Sequence, residues 1–369
     1  MSEHGPQVGT PAIESVGPIT FGPDNVLFVA DNVTANVFAI AVSDEGGADD
    51  DASGVDAFDL DDIDTLLAAF LGCGVDDVII RDLAVHPRTH NVYLSVMRGR
   101  GNEGTPLLVK IDHRSGSLAD VPLDDVAFSQ VAIANAPSES DERTDVQFAE
   151  PPEGEEVEIA GHTLRFARPP ARTATVTDMA YVDGMLIVAG MSNEEFSSTL
   201  RRIPFPFTGE IADSNLEIFH VSHGKWETAA PIRTFVPYDA GRSILASYTC
   251  TPLVHFSLND LASGAQAKGR TVAELGAMNQ PLDIVSYTLG GNEYLLIAHS
   301  THPLMKIACN DIDTQEALTE PREPRGVPRE EIDIPGVKKL ANFNGDYVLA
   351  MQRDESGTRH LRSLKTASL

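Results

Sequence analysis

The sequence predicts an all-β fold: a single β-propeller of six blades that spans residues 1–369. Three observations support this prediction. A strand–turn–strand–loop–strand pattern recurs along the chain at intervals of roughly 50 residues or more, and about 50 residues make one propeller blade. The turns between the first two strands are rich in Gly, Asn, Asp and Pro, which tight hairpins require. Three of the third strands alternate apolar with polar residues, as half-buried strands do.

Each copy of the pattern joins an apolar strand to a second, more strongly apolar strand. The six copies begin at residues 17, 81, 177, 232, 282 and 338. The later copies are 55, 50 and 56 residues apart, whereas the first two gaps are 64 and 96 residues long. Because one blade needs only about 50 residues, the long gaps predict insertions, which we place at about 43–77 and 124–172.

The first insertion is predicted to contain an outer strand and a short helix near 61–71, capped by Asp61 or Asp62. The apolar residues of this helix recur at helical spacing: Ile63, Leu66, Leu67 and Phe70. The second insertion contains two candidate strands, VEIAG and HTLRFA, in a segment rich in Pro, Glu and Asp. It is either a hairpin insertion, which leaves six blades, or a degenerate seventh blade.

The last copy is one strand short of a full blade, because RHLRSLKTASL supplies only its third strand. The N-terminal segment QVGTPAIESV precedes the first inner strand and is expected to supply the missing one. An N-terminal strand in this position would close the ring and remove its free edge.

One stretch of the first copy, GPDNVLFVADN, resembles the blade signature of six-bladed propellers of the NHL-repeat and SMP-30/gluconolactonase-like families. The resemblance is clearest in residues 17–40 and implies the propeller fold. Such families include lactonases and esterases that use a divalent metal held by Glu, Asn and Asp at the channel mouth. The later copies contain no Pro-Asn-Gly-Leu-like or Ser-Asp-Gly-like stretch, so the resemblance assigns no catalytic residue in this chain.

The chain is strongly acidic: it has 55 Asp and Glu residues against 27 Lys and Arg residues, a formal net charge of −28. Such a charge repels phosphate backbones and anionic lipids, which argues against nucleic-acid and membrane partners and favours cations. Lys is scarce, with 7 residues against 20 Arg. This composition is expected in a salt-adapted organism, where salt screens self-repulsion; an ordinary acidic cytoplasmic protein is the alternative.

The protein is expected to be cytoplasmic. The first residues, MSEHGPQVGTPAIESVGP, have neither the basic nor the apolar region of a signal peptide. No apolar run reaches the 18 or so residues that a membrane helix needs. The three cysteines, Cys73, Cys250 and Cys309, are too few and too scattered for a disulfide framework.

Propeller geometry brings the beginnings of the six inner strands together around the mouth of the central channel. Alignment of the copies puts five charged residues at one level, flanked by Arg81 and Gln280: Asp82, Asp178, Arg233, Asp283 and Lys339. These residues form either a structural ring of ion pairs or a binding site in which carboxylates hold a polar ligand or a hard cation such as Ca²⁺. Neighbouring carboxylates can also serve as acid and base when their pKa values differ.

The loops that leave the second strands lie on the same face of the propeller. The alignment places Cys250 and His302 at equivalent positions in adjacent blades, with His299 shortly before His302. Thiolate and imidazole ligands suit copper or zinc, so these three residues form a candidate metal site. Arg98 and Asn193 add candidate binding residues to the same rim.

The sequence therefore predicts a non-catalytic β-propeller that binds a small ligand, a metal ion or a protein partner at its channel mouth. One alternative is a lactonase-like, metal-dependent hydrolase or lyase that uses the three channel-mouth aspartates and Asn193. The other alternative is a copper-type redox site on the cysteine and the two histidines. Calcium in the protein would indicate the first alternative, and copper or zinc would indicate the second.

Overall fold

The computed structural model describes residues 5–44, 55–101, 104–144, 147–149, 154–159, 162–276, 278–321 and 326–369. Six mainly antiparallel sheets are arranged in a ring as the blades of one propeller, which confirms the predicted all-β fold class. We name the blades A to F in the order in which their inner strands occur in the chain. None of the helices in the described residues is long and apolar enough to cross a membrane.

Blades A and B contain the first two copies of the repeat. From the channel outwards, blade A consists of β2 (Ile19–Phe21), β3 (Val26–Asp31), β4 (Asn36–Ala41), β9 (Val126–Ala132) and β1 (Gln7–Gly9). Blade B consists of β5 (Val78–Val85), β6 (Val92–Arg98), β7 (Thr105–Ile111) and β8 (Leu118–Asp120). The chain thus completes blade B before it returns to blade A as β9.

The other four copies form blades C to F. Blade C consists of β13 (Asp178–Val182), β14 (Met185–Met191), β15 (Ser198–Pro204), β16 (Ala212–His220) and β17 (Lys225–Glu227), and β21 (Ala265–Lys268) pairs in parallel with β16. Blade D consists of β18 (Ile232–Tyr238), β19 (Ser243–Tyr248), β20 (Pro252–Ser257) and β22 (Arg270–Glu274). Blade E consists of β23 (Pro281–Leu289), β24 (Asn292–His299), β25 (Leu304–Ala308) and β26 (Glu330–Ile332), with helix α2 (Cys309–Thr314) after β25. Blade F consists of β27 (Val337–Asn342), β28 (Tyr347–Arg353) and β29 (Arg359–Lys365).

The second strand of each blade is apolar on both faces because it lies between two neighbouring blades. In β3, Leu27 and Val29 pack in a cluster with blade B, while Phe28 and Ala30 pack in a cluster with blade C. Successive side chains of a strand point to opposite faces, so two buried faces require a continuous apolar run. The hairpin turns also have the predicted chemistry: Asp183 and Gly184 both adopt positive φ angles, 45° and 80°, as a two-residue type I′ turn demands.

The blades do not follow one another around the ring in chain order. Within the described residues, six large apolar clusters each join two neighbouring blades: A–B, A–C, C–D, D–E, E–F and F–B. The order in the ring is therefore B, A, C, D, E, F, with the first two copies exchanged. The long insertions allow this exchange, because the first one runs along the edge of blade F to blade B and the second begins with β9 in blade A.

The prediction that an N-terminal strand closes the ring is wrong. β1 pairs with β9 at the outer edge of blade A, where Val8 lies opposite Ala127. The outer edge of blade F is covered instead by the first insertion: Leu60 and Leu361 exchange backbone hydrogen bonds of 3.0 and 2.9 Å. The outer edge of blade F can pair with only one further segment, and the first insertion pairs there in place of the N-terminal segment.

The predicted helix of the first insertion is present as α1 (Ile63–Leu71). Its buried residues are Ile63, Asp64, Leu67 and Ala68. The buried face differs from the predicted one, because Asp64 pairs with Arg359 (Oδ1 to Nη1 2.8 Å), while Leu66 and Phe70 are 37% and 41% exposed. Asp62 is at the N-cap position but makes no side-chain capping bond. Residues 45–54 of this insertion lie outside the described residues.

The second insertion is a hairpin insertion and not a seventh blade. It forms a separate three-stranded sheet of β10 (Gln147–Phe148), β12 (His162–Ala167) and β11 (Glu155–Ile159), in that order. The strand β12 matches the predicted HTLRFA strand. The predicted VEIAG strand is β11 as far as Ile159, and its last two residues lie outside the described residues. The ring therefore has six blades.

The excess of acidic residues predicts that salt stabilises the fold. With a net charge of −28, repulsion at the surface opposes the compact state. Raising KCl from about 0.1 to 1 M shortens the screening length from about 10 to 3 Å, so the Tm is expected to rise. Thermal unfolding followed by circular dichroism over this range checks the prediction, and a Tm that falls or stays constant would contradict it.

Candidate functional site

A β-bulge near the start of four inner strands sets the level of the residues around the channel. The pairing registers shift between Ile80 and Asp82, between Ile232 and Thr234, between Pro281 and Asp283, and between Val337 and Lys339. The extra residue of each bulge is Arg81, Arg233, Leu282 or Lys338, so two residues of the inner strand face one residue of the second strand there. The alignment placed Arg233 at the charged level of the channel, but Arg233 lies in the bulge, one residue before that level. Thr234 takes the level of Asp82, Asp178, Asp283 and Lys339.

Three aspartates at this level link neighbouring inner strands in the same way. One carboxylate oxygen of each accepts a backbone N–H from the next blade: Ile19 to Asp82 at 2.9 Å, Phe235 to Asp178 at 2.8 Å and Leu340 to Asp283 at 2.9 Å. In ring order the donors and acceptors alternate, so blades B, C and E supply carboxylates and blades A, D and F supply N–H groups. These three aspartate–N–H contacts therefore have approximate three-fold symmetry around the channel, which the order of the blades in the chain does not reveal.

Thr234 and Lys339 connect the three carboxylates. The hydroxyl of Thr234 donates to Asp178 at 2.9 Å and lies 3.3 Å from an oxygen of Asp283. The ammonium group of Lys339 lies 2.9 Å from Asp82 Oδ1. The charged residues predicted at one level thus form a connected polar network inside the channel. The Lys339–Asp82 ion pair in it matches one of the two alternatives from the sequence, a structural ring of ion pairs.

The electrostatic balance of this network favours additional positive charge. Burial raises the pKa of Asp178 to about 7, and the carboxylates of Asp283 and Asp82 contribute. Burial likewise raises the pKa of Asp283 to about 6, although Lys339 opposes the shift. Burial alone would lower the pKa of Lys339, but Asp82 and Asp283 outweigh it and raise the pKa. The pKa values of Asp178 and Asp283 are therefore both raised towards neutrality.

The three carboxylates are not arranged to share one small metal ion. Among the described residues, only one group of three or more His, Cys, Asp or Glu residues has its ligand atoms within 4.8 Å of one another, and it does not include these aspartates. Ligands of one Ca²⁺ ion lie about 2.3–2.6 Å from it, so even ligands on opposite sides of the ion are only about 5 Å apart. The channel level suits a larger polar or cationic group.

The other predicted channel-mouth residues are dispersed. Arg98 is exposed and donates to the carbonyl oxygen of Leu71, the last residue of α1, at 3.2 Å. Gln280 is 1% exposed and makes backbone contacts with Ser300, so it braces the loop after β24 and is not on the rim. Asn193 is exposed in the loop after β14, where its backbone N–H donates to Asn135 at 2.8 Å.

Arg81 and Arg233 are the bulge residues next to the carboxylate level. Arg81 is exposed, and Arg233 reaches the second insertion, with its Nη1 3.4 Å from Gln147 Oε1 of β10. The insertion sheet therefore extends to the channel mouth.

The structure does not bring Cys250, His299 and His302 together as the predicted metal site. His299 is 4% exposed and its Nδ1 lies 2.7 Å from Asn279 Nδ2; its ring centroid is 6.3 Å from that of His302. Burial lowers the pKa of His299 to about 3, so the imidazole is neutral. Cys250 belongs instead to a group with His220 and His223.

The residues that sequence reasoning missed are Thr234, His220, His223 and Glu227. The stretch HVSHGKWE carried a signal: two histidines three residues apart are followed by Gly and then by Glu. A turn at the Gly would fold these side chains onto one another, but the sequence offers no means of pairing them with Cys250 in another blade.

The chain is only distantly similar to known proteins. No protein-family model matches the chain, and no curated protein sequence matches it. Among solved structures, a streptogramin B lyase is 9% identical, with 98% of each chain covered and a TM-score of 0.40. The β-propeller domain of Cps50 (Swd1) from Myceliophteria thermophila is 11% identical, with 95% of this chain and 84% of that chain covered and a TM-score of 0.39. The PQQ-bound aldose sugar dehydrogenase of Streptomyces coelicolor is 12% identical, with 99% of each chain covered and a TM-score of 0.37.

Proposed function

We propose that the protein is a non-catalytic propeller that binds a small cationic ligand, such as an amine or a guanidinium compound, at the mouth of its central channel. One observation carries the proposal: carboxylates from three alternate blades lie at one level of the channel, held in place by backbone N–H groups. Because these N–H groups and Thr234 fix the carboxylates, a ligand would meet oxygens that are already oriented.

An organic cation fits this level better than a single metal ion does. The carboxylates are not among the groups of the described residues that converge closely enough to share one ion. An ammonium or guanidinium group carries several N–H donors that can contact oxygens on different sides of the channel. Lys339 already makes such a contact with Asp82, and Asp178 and Asp283 face each other across the Thr234 hydroxyl.

A lactonase-like hydrolase that uses Asp178 as its acid or base is a second candidate. The observation that favours it is the pKa of Asp178, about 7, which suits a general acid or base at neutral pH. Lactone and ester substrates, assayed with and without added Ca²⁺, separate the two functions. Turnover that is lost in Asp178→Asn would support a hydrolase and contradict a purely binding role.

Calorimetric titration with putrescine, argininamide and CaCl₂ tests the proposed binding function. At acid pH, Asp178 and Asp283 are protonated and neutral; as the pH rises through about 6 and 7 they become anions. Cation affinity is therefore expected to rise about tenfold between about pH 5.5 and 8, with proton release on binding.

Matched variants identify the site. Asp178→Asn and Asp283→Asn are each expected to lower the affinity for the organic cations at least about tenfold at pH 8, since each removes one negative charge next to the ligand. Asp333→Asn, which changes an exposed aspartate away from the channel, should bind as the wild type does. Circular dichroism verifies that each variant is folded. Binding that is independent of pH and of both channel variants would contradict the proposal.

A further inference from the structure

The outer hairpin of blade C brings two histidines onto one side of the sheet. β16 ends at His220 and β17 begins at Lys225, so only four residues form the turn. Gly224 closes this turn with a φ of 64° and donates its N–H to the carbonyl oxygen of His220 at 2.9 Å. A residue with a Cβ adopts this left-handed conformation at a cost, so the glycine favours the tight turn. The rings of His220 and His223 consequently lie 3.9 Å apart, centroid to centroid.

Cys250 reaches these histidines from blade D. It lies in the loop between β19 and β20, and ligand atoms of His220, His223 and Cys250 all lie within 4.8 Å of one another. Two ligands of one tetrahedral zinc ion, with bonds of about 2.0–2.3 Å, are separated by roughly 3.3–3.8 Å. Small side-chain rotations would therefore bring the three atoms around one ion.

One carboxylate orients both imidazoles. Glu227 Oε2 lies 2.8 Å from His220 Nδ1, and Glu227 Oε1 lies 2.7 Å from His223 Nδ1. A histidine that donates Nδ1–H to a carboxylate presents its Nε2 lone pair to a metal, and metal-binding histidines almost always donate their other N–H to a carboxylate, a backbone carbonyl or water. The carboxylate of Glu227 thus bridges the two rings.

The Nε2 atom of His220 is a buried polar atom that the protein leaves available. The side chain is 1% exposed, and in the described part of the chain this atom makes no hydrogen bond of ordinary geometry, although the Cys250 thiol is close enough to interact with the imidazole. Unpaired buried polar atoms are rare, because burial takes away their hydrogen bonds to water. The atom faces the group that contains Cys250, and Glu274 Oε1 lies 3.8 Å away from it.

We propose that His220, His223 and Cys250 bind a zinc ion between blades C and D. Glu227 acts as the positioning residue, and Glu274 is placed to take the fourth position directly or through a water molecule. Imidazole, thiolate and carboxylate ligands together suit zinc, whose sites combine N, S and O donors. A thiol–imidazole nucleophile pair would need only one histidine, and it would leave the second histidine and its bond to Glu227 without a role. The ion would join the blade C hairpin to blade D.

Metal analysis of the purified full-length protein tests the site. Inductively coupled plasma mass spectrometry should find one zinc per chain in the wild type and in the control Cys73→Ser. Cys250→Ser and His223→Ala should retain less than about a tenth of it, because each loses a direct ligand. His223 is half exposed, with 48% of its side chain accessible, so His223→Ala is expected to fold even if a change at buried His220 does not. Zinc retained in both ligand variants would overturn the proposal.

Two further measurements separate zinc binding from other roles of the same residues. Glu227→Gln should keep all three zinc ligands but lower the affinity for zinc about 10–100-fold, as measured by competition with a chelator. Zinc should also slow the alkylation of Cys250 by iodoacetamide, and cobalt in its place should give a thiolate charge-transfer band. Equal alkylation rates with and without zinc would overturn the proposal in favour of a free nucleophilic thiol. Stoichiometric copper in the purified protein would overturn the assignment to zinc.

Discussion

Replacement of Arg201 by Met is expected to lower the free energy of unfolding by about 3–5 kcal/mol. Arg201 is 0% exposed, and its guanidinium donates to three oxygens: Asn135 Oδ1 at 3.0 Å, Thr175 O at 3.0 Å and Met191 O at 2.7 Å. Burial lowers its pKa to about 10, which still leaves it charged at neutral pH. Met fills the volume but leaves these acceptors without a donor.

Urea denaturation at neutral pH measures this loss for Arg201→Met beside two comparison variants. The free energy of unfolding of Arg201→Lys should lie between those of the wild type and Arg201→Met. An ammonium group keeps the charge but cannot reproduce the planar arrangement of donors of a guanidinium group. Arg114→Met, at an exposed turn, should change stability by no more than about 0.5 kcal/mol. A loss for Arg201→Met as small as that for Arg114→Met would show that the buried guanidinium does not hold blades A and C together.

Replacement of Asp44 by Ala is expected to cost about 3 kcal/mol at neutral pH. The residue is 3% exposed, and its carboxylate accepts hydrogen bonds from Thr89 Oγ1 at 2.7 Å, Asn91 Nδ2 at 3.0 Å and Tyr93 OH at 3.1 Å. Lys110 lies 3.4 Å away. These donors belong to blade B, so one carboxylate ties the chain that leaves blade A to the adjacent blade. Ala removes all of these bonds and leaves the donors without their acceptor.

The stability that Asp44 contributes should depend on pH in a defined direction. Burial opposes its ionisation, but Thr89, Asn91, Lys110 and Tyr93 outweigh burial and lower its pKa below the usual value. A lowered pKa in the folded state means that the contribution is complete above about pH 4 and is lost as the pH falls through the folded-state value. The difference between wild type and Asp44→Ala, measured by chemical denaturation, should therefore shrink in acid. Asp76→Ala, at an exposed position, serves as the control, and a difference that grows in acid would contradict this account.

Much of the scaffold could be predicted from the sequence because it depends on local patterns. Six copies of an apolar strand pair specified six blades, and turn residues such as Asp183 and Gly184 specified where each hairpin reverses. The channel level of Asp82, Asp178 and Asp283 was predictable for the same reason: equivalent positions of a repeat lie at equivalent heights in a ring. The binding role assigned to these residues stays a prediction.

The sequence predictions were wrong where the structure depends on a one-residue shift in strand pairing or on which of two distant segments pairs with an edge strand. A bulge shifts the pairing by one residue, and no sequence pattern distinguished Arg233 from Thr234 as the residue at the channel level. The N-terminal strand and residues 58–60 were both able to cover a free edge, and the choice between them depends on where a long insertion runs. The exchange of blades A and B follows from the same choice.

By itself, the sequence determined the six repeated strand pairs, the acidic composition and the level of the channel carboxylates, because repeat spacing and burial periodicity are local properties. The structure decided that the second insertion is not a seventh blade. Only the tertiary structure decided which blades are neighbours, which strand fills each edge, and that Cys250 joins His220 and His223 instead of His299 and His302. These outcomes depend on contacts between segments far apart in the chain, which local sequence patterns do not specify. In the described residues, six apolar clusters bury the interfaces between all neighbouring blades of the ring.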